Sequence, residues 1–221
     1  MPECTIYKQD QEFYYIYYTG FDIYCKQALE KLSLSSTQYI IKKEHYIYLD
    51  LIKKLLQKDS FVLAIDGKCA SGKTTLASLL QDKFHASVIH MDDFYLPIDQ
   101  RKQTVAGHMD FSRLIDTVLK HIKNHQDIYY QVFDCRTQSY REDRLQYNKY
   151  YIIEGSYSLH PSLVEYYTDT VVLDVLDDIQ QKRLFQRNPL KYQDFIEQWI
   201  PLEQDYFKTY HIYERYPVIK Q

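Results

Sequence analysis

Gly67-Lys68-Cys69-Ala70-Ser71-Gly72-Lys73-Thr74 follows the spacing G-x-x-x-x-G-K-[ST]. In this pattern successive backbone N–H groups curl into an anion nest at the head of a helix. The lysine at its end, Lys73, reaches the β- and γ-phosphates of a nucleotide, and the Thr74 hydroxyl is a ligand for Mg2+. Thr75 prolongs the same phosphate-binding run. The loop needs a strand before it and a helix after it. The apolar run Phe61–Ile65 and the pattern Leu76, Ala77, Leu79, Leu80, Phe84 supply both.

Further chemistry-bearing residues fall at the ends of other apolar runs. Asp92 follows Ser87–Met91, where a carboxylate could take a proton from an acceptor hydroxyl and help hold Mg2+. Helix N-capping competes for Asp92 and is the expectation for Asp93. Glu154 ends Tyr150–Ile153 and precedes Gly155, so its carboxylate emerges at a strand terminus, to hold Mg2+ through water or to anchor the acceptor. Arg183 and Arg187, four apart, share one helix face, and guanidinium forks suit phosphate oxygens. Asp110 is a candidate for gripping two vicinal ribose hydroxyls, with a helix N-cap as the equal alternative. Tyr95, Phe133 and Gln138 could line a base pocket, the rings by stacking and the amide by reading hydrogen-bonding edges. Glu203, near Trp199, is a weaker candidate for closing the site, and a core-facing helix with a kink at Pro201 explains it equally. His90, His108 and His160 lie near these segments without any metal-ligand spacing, so structural roles are expected. Cys69 is expected to be a quiet buried thiol.

Other nucleotide-binding classes lack their signatures. The Asn148-Lys149 pair is followed by Tyr150-Tyr151 rather than x-Asp, and neither L-S-G-G-Q nor D-E-A-D occurs. Small size and these absences favour a small-molecule kinase. At this point the residues resemble the uridine kinase and phosphoribulokinase family. His90-Met91-Asp92-Asp93-Phe94-Tyr95 is similar to its acidic-aromatic segment, and Ile152-Ile153-Glu154-Gly155 to its strand ending in Glu-Gly. Arg183, Arg187 and Asn188 fall where its arginine-bearing lid begins, and Phe133-Asp134-Cys135-Arg136-Thr137-Gln138 resembles its base-contacting segment. The likeness spans about 61–190 and is nearest to bacterial uridine-kinase-like proteins with Glu-Gly-Ser-Tyr-Ser-x-His-Pro and Trp-Ile-Pro-Leu-Glu. Two departures stand out. Many members carry glycine where Ala70 stands, and uridine–cytidine kinases often carry histidine where Gln138 stands.

The elements around these residues alternate strand and helix. Strands are expected at 61–65, 87–91, 129–133, 150–153 and 170–175, with a helix after the glycine loop that turns Leu76, Ala77, Leu79, Leu80 and Phe84 inward and further helices at about 111–123, 177–187 and 192–208. That alternation predicts an α/β three-layer sandwich of the P-loop NTPase type, with a mainly parallel sheet and ligands beyond the carboxyl ends of its strands. Residues 1–58 differ. They read as a tyrosine-rich small subdomain or as an extension packed on the main one, with a strand at 12–18, a turn at Thr19-Gly20, a returning strand at Phe21–Cys25, a strand at 39–41 and an amphipathic helix through Tyr48, Leu49, Ile52, Leu55 and Leu56. The kinase domain is expected over 59–221.

Composition sets the outer bounds. The 221 residues are 45% hydrophobic and 26% charged, the proportions of a globular protein. Lys and Arg number 27 against 30 Asp and Glu, a net −3, which argues against a partner held by bulk positive charge such as a nucleic acid polymer. No apolar run approaches the ~18 residues of a membrane span, and the first residues lack a signal peptide's pattern. The four cysteines, Cys4, Cys25, Cys69 and Cys135, are too scattered for a zinc site or disulfide framework, so a cytoplasmic location is expected. Tyrosine is the outlier at 24 residues, and its strands leave a homo-oligomeric contact open. The resemblance implies ATP and Mg2+ as cofactors, a small-molecule acceptor and transfer to a hydroxyl, foremost the 5′-hydroxyl of uridine or cytidine. Nicotinamide riboside, pantothenate-like compounds and sugar phosphates are the alternative acceptors, and a non-catalytic nucleotide-binding regulator is the alternative class.

Overall fold

The computed structural model describes residues 4–18, 30–31 and 38–221. The expected turn at Thr19-Gly20 and the strand at Phe21–Cys25 lie outside the described residues. The chain divides into two compact units, Met1–Asp59 and Ser60–Gln221. In the first, β1 (Cys4–Gln9), β2 (Phe13–Tyr18), β3 (Glu30–Lys31) and β4 (Gln38–Lys42) form an antiparallel sheet in the order β1-β2-β4-β3. The helix α1 (Leu49–Leu56) follows, and the ring of Tyr14 meets that of Tyr46 edge-on at 5.1 Å.

The second unit is built on β5 (Phe61–Gly67), β6 (Ser87–His90), β9 (Tyr150–Glu154), β10 (Asp169–Asp174) and β11 (Val218–Lys220). All neighbouring pairs are parallel, in the order β11-β10-β5-β9-β6. β5 is central and almost wholly buried, which explains why it reads as a continuous apolar run rather than an alternating one. The helix α2 (Lys73–Phe84) turns Leu76, Ala77 and Leu80 inward and packs on β5, β6 and β9. A core cluster joins Ala64, Ile153 and Val172 of the strands to other helices. One is a continuous helical stretch made of α3 (Phe111–Leu114), a π-helical segment (Ile115–Leu119) and α4 (Lys120–Lys123), which contributes Leu114, Val118, Leu119 and Ile122. The other helical contributions come from α7 (Ile200–Thr209) and α8 (Ile212–Arg215), through Tyr206, Phe207 and Ile212. The sheet therefore carries helices on both faces, the α/β architecture expected of the sequence.

Three details depart from the sequence expectations. The strand at 129–133 does form, as part of β7 (Ile128–Asp134), but it stands outside the parallel sheet in a hairpin with β8 (Ser139–Leu145). β8 carries Arg141, Glu142, Asp143 and Arg144 on a largely exposed strand, so no apolar pattern announced it. β11 is a three-residue edge strand, too short for any periodicity to reveal. Pro201 lies inside one uninterrupted helical stretch of α6 (Tyr192–Asp194), a π-helical turn (Phe195–Trp199) and α7, and the irregularity appears as that π-helical turn directly ahead of the proline rather than as a break at it.

Gly67 ends β5 at a φ of +132°, and a Cβ there would stand 2.0 Å from the Leu173 carbonyl oxygen of β10. The clash is with backbone of a paired strand, so no side-chain rotation can relieve it. Gly67→Ala is expected to cost about 2–4 kcal/mol, a fall of about 5–15 °C in Tm that a thermal melt would register. A melt within about 2 °C of wild type would show that the β5–β10 spacing yields.

Candidate active site

The phosphate loop leaves the carboxyl end of β5 and enters α2 at Gly72, whose φ of +88° belongs to the left-handed region. Ala70 also has a positive φ, +59°. The loop thus keeps the conformation that glycine favours and places a residue with a Cβ in it, at a local cost on the order of 1 kcal/mol. Ser71 is buried, with its Oγ unpaired by any protein group, while Thr74 and Thr75 face solvent at the mouth.

Lys73 is buried, and its ammonium donates to the carbonyls of Gly67 and Lys68, both at 2.8 Å, and to Ser156 Oγ at 3.3 Å. Lys68 turns away from the nest. Its ammonium pairs with Asp174 at 3.1 Å and Asp177 at 2.8 Å and donates to the Val175 carbonyl at 3.0 Å. Two residues of α5 (Asp177–Arg187) brace the loop from the outside. The Gln180 amide donates to the Cys69 carbonyl at 3.0 Å, and Arg183 donates to the Ala70 carbonyl at 3.1 Å and to Gln221 Oε1 at 2.9 Å. Gln221 in turn donates to the Ser71 carbonyl at 2.7 Å. Arg183 is therefore a loop brace in this structure. Arg187, one turn on, is exposed, and its charge reaches Asp92. Asn188 caps the following turn by accepting from the Lys191 N–H.

The carboxylates gather where the parallel strands end. Glu154, at the end of β9, is buried. Its Oε1 accepts from the Thr74 hydroxyl at 3.2 Å and stands 2.6 Å from His90 Nδ1. The hydrogen bond to Glu154 is the main reason the His90 imidazole is held above its ordinary range. Asp92 lies in a 3-10 turn just past β6, open to solvent on one side and hemmed in by protein on the others. Desolvation and then the charge of Glu154 push its carboxyl upward, against the pull of Lys73, His90 and Arg187. Thr74, Glu154 and Asp92 present only oxygen donors, which fit a hard cation that keeps most of its shell as water and phosphate. No group of three or more metal-ligating side chains stands together among the described residues, so protein alone would not cage such an ion.

The expected acceptor residues are distributed unevenly. The ring of Tyr95 meets His108 at 5.6 Å and Trp199 at 6.0 Å, with the Arg101 guanidinium 6.0 Å from its centroid. Asp110 caps α3, and both its oxygens engage Arg113: Oδ1 accepts from the backbone N–H at 3.0 Å and Oδ2 from Nε at 3.1 Å. Arg113 also donates to the carbonyls of Asp93, Tyr95 and Gln131, which fastens the β7–β8 hairpin to the turn after β6. Phe133 is buried against Tyr140, with ring centroids 5.0 Å apart, so little of its ring is free to stack on a ligand. Gln138 closes the hairpin turn at a φ of +52°, donating to the Cys135 carbonyl at 2.6 Å and accepting from the Ile98 N–H at 3.4 Å. Its amide is largely committed to the turn.

Sequence reasoning passed over Asp66. It is fully buried, and its oxygens accept from the backbone N–H groups of Gly67 at 2.7 Å, Tyr157 at 3.2 Å and Leu159 at 2.8 Å and from the Tyr206 hydroxyl at 2.7 Å. The available signal was an acid inside a continuous apolar strand, which burial makes costly unless partners converge on it. Glu203 is more tightly engaged than its sequence context suggested. Its Oε2 accepts from the Cys69 N–H at 2.9 Å and its Oε1 from the Ser156 hydroxyl at 2.5 Å. Burial, then Glu203, pushes the Cys69 thiol up to about 12, which suits an unreactive cysteine. His108 is buried among Tyr95, Tyr157 and Trp199, and desolvation lowers its imidazole to about 4.

No protein-family profile and no curated protein matches the chain. Among solved structures, a possible uridine kinase from Bacillus stearothermophilus superposes with a TM-score of 0.64, covering 80% of this chain and 99% of that one at 22% identity. That likeness establishes the fold, an α/β sandwich on a parallel sheet that this chain shares with that protein. Looser matches are a protein from Thermus thermophilus and deoxyadenosine kinase from M. mycoides with bound dATP. The former has a TM-score of 0.41 at 14% identity, over 74% of this chain and 90% of that one. The latter has a TM-score of 0.32 at 13% identity, over 72% and 90%. No helix among the described residues is long and apolar enough to cross a membrane.

The Asp66 network predicts a pH signature. Burial raises the carboxyl from 3.8 to about 6, against the hydrogen bonds that favour its charged form. A folded pKa above the unfolded one means that folding favours the neutral acid. Its contribution is complete below the unfolded pKa of 3.8 and is lost as pH rises through about 6. Lowering pH from about 7.5 to about 4.5 should therefore raise the Tm of wild type relative to Asp66→Asn, which lacks the titrating group. A Tm difference that stays constant across that range would contradict the assignment.

Proposed function

We propose that the protein transfers the γ-phosphoryl group of ATP to a hydroxyl of a small acceptor, foremost the 5′-hydroxyl of a nucleoside such as uridine or cytidine. The observation that carries this reading is the convergence of Lys73, Thr74, Glu154 and Asp92 at the carboxyl ends of three adjacent parallel strands, β5, β9 and β6. Anion nest, cation-binding oxygens and a carboxylate placed to accept a proton are the parts that phosphoryl transfer requires, since the reaction depends on positioning and charge rather than on covalent help.

Each residue has a role that follows from its place. Amides of the 67–75 loop other than those of Gly67 and Cys69, which donate to Asp66 and Glu203, would hold the phosphates, and Lys73 would exchange its loop carbonyls for phosphate oxygens. Thr74, Glu154 and Asp92 would hold Mg2+, which when bound neutralises phosphate charge and orients the transferred group. Asp92, in the turn just past β6 beside the phosphate loop, takes the acceptor's hydroxyl proton. The acceptor oxygen bonds to the γ-phosphorus as the bond to the β–γ bridging oxygen breaks, leaving ADP and a phosphate ester. Arg187 stands free at the end of α5 to meet charge on the transferred group, while Arg183 holds the loop in shape. Tyr95 offers a ring face to the acceptor. Asp110 keeps one lone pair on each oxygen for vicinal hydroxyls beyond its bonds to Arg113. The commitments of Phe133 and Gln138 leave base selectivity to other groups around Tyr95, so nicotinamide riboside, pantothenate-like and sugar-phosphate acceptors belong in the same trial.

ADP release from Mg-ATP should be stimulated by at least one hydroxyl acceptor in a panel of ribonucleosides, deoxynucleosides and those alternatives. Asp92→Asn should lower kcat by about 10²–10⁴-fold, with the KM for ATP changed by less than about threefold. Near-normal turnover in that variant would remove Asp92 as the base. ATP binding without stimulation by any acceptor would favour a nucleotide-binding regulator. Arg187→Ala should lower kcat by about tenfold or more while leaving ATP affinity within about threefold, and a loss of affinity alone would place Arg187 outside the transfer step.

A further inference from the structure

We propose that Glu203 is a positioning residue of the phosphate loop, a carboxylate that holds the loop and Lys73 in working geometry while lowering affinity for the nucleotide. The inference rests on the reading of 67–75 as the nucleotide site. Glu203 is 5% exposed and reaches the loop from α7. One oxygen, Oε2, accepts from the Cys69 N–H at 2.9 Å. The other, Oε1, accepts from the Ser156 hydroxyl at 2.5 Å, and Ser156 Oγ in turn accepts from Lys73 Nζ at 3.3 Å. The ammonium and the carboxylate are thus joined through one hydroxyl, which fixes the direction in which that hydroxyl donates.

The choice of an acid here is the informative point. A phosphate loop presents N–H groups to an anion, and Glu203 places a negative charge on one of them, with the same sign as the ligand the nest would take. An amide of the same shape would keep its oxygen on the Cys69 N–H, while its NH2 would donate to Ser156 Oγ and turn that hydroxyl to the Gly67 carbonyl, 3.1 Å away, so shape and packing by themselves do not require an acid. The same helix face is already fastened to the strand that precedes the loop, because Tyr206, three residues on, donates to Asp66. The π-helical turn ahead of α7 ends on Trp199, whose ring lies 6.0 Å from Tyr95 and 5.8 Å from His108. One helical segment therefore touches both the phosphate loop and the acceptor side of the site. Energy lost in ground-state binding of the phosphates is recovered when the loop and Lys73 meet the transferred group in fixed positions, a trade that lowers KM and kcat together once the charge is removed.

The test is Glu203→Gln, which keeps the shape, measured beside wild type by calorimetric titration with ATP, by steady-state kinetics with the stimulating acceptor and by thermal melting. The variant should bind ATP about three- to tenfold more tightly, show a lower KM for ATP and lose about tenfold or more in kcat. Ser156→Ala cuts the link to Lys73 but leaves the Cys69 contact, and should lower kcat with a smaller change in affinity. ATP binding that weakens or stays the same in folded Glu203→Gln, or a kcat that does not fall, overturns the inference. If Glu203→Gln does not fold, an unchanged kcat in Ser156→Ala overturns it instead. Wild type that fails to bind ATP would overturn the nucleotide-site reading itself, a result separable from the others.

Discussion

A buried carboxylate anchors the carboxyl edge of the parallel sheet. Asp66 lies within the central strand, one residue before the phosphate loop, where an unpaired charge would be prohibitive. Its four donors come from the loop's own first residue, from the segment after β9 and from α7. The interaction therefore gathers segments far apart in the chain around one point. Burial still outweighs these donors and keeps the carboxyl above its ordinary range, which marks the edge as a place where stability is spent on arrangement.

Around that anchor the parallel sheet sets the order of the chemistry. β5 delivers the phosphate loop, and its neighbour β9 delivers Glu154 to the Thr74 hydroxyl. β6 beyond it delivers His90 and then Asp92. Parallel pairing places all three carboxyl ends together, so side chains about 20 to 80 residues apart meet without any of them lying on a long loop. Gly67 and Gly155 serve the same crowding. Both have φ near +130°, and a Cβ at Gly155 would stand 2.6 Å from that of Met91.

The loop is held from its outer side as well. Gln180 and Arg183 of α5 bond to its carbonyls, Gln221 joins them, and Glu203 of α7 takes the Cys69 amide. This bracing accounts for a loop that keeps Ala70 in a left-handed conformation. The local cost, on the order of 1 kcal/mol, is small beside several well-formed hydrogen bonds to the same backbone. Electrostatics divide the basic residues accordingly: Lys68 is neutralised by Asp174 and Asp177, Arg183 is bound to carbonyls, and Arg187 stays exposed within electrostatic reach of Asp92.

What the sequence determined by itself was local and periodic. The spacing of Gly67, Gly72, Lys73 and Thr74 marked the loop between β5 and α2 as a candidate phosphate loop, the alternating apolar runs specified a parallel α/β sheet, and Asp92 and Glu154 were visible because each ends such a run. Tertiary structure decided what depends on partners far along the chain. Arg183 and Arg187 look alike at a helical spacing of four, yet only the first meets the Ala70 carbonyl. Phe133 and Gln138 read as ligand-facing types, but hairpin pairing with the charged strand β8 buries one and commits the other to a turn. Glu203 was legible only as a weak candidate beside Trp199, and Asp66, an acid inside an apolar run, was passed over, because a lone acid in a strand or helix acquires meaning only from the N–H and O–H groups that packing brings to it. Periodicity reports which face of an element is buried. It carries no information about which distant donors will share that burial, and those donors build the site.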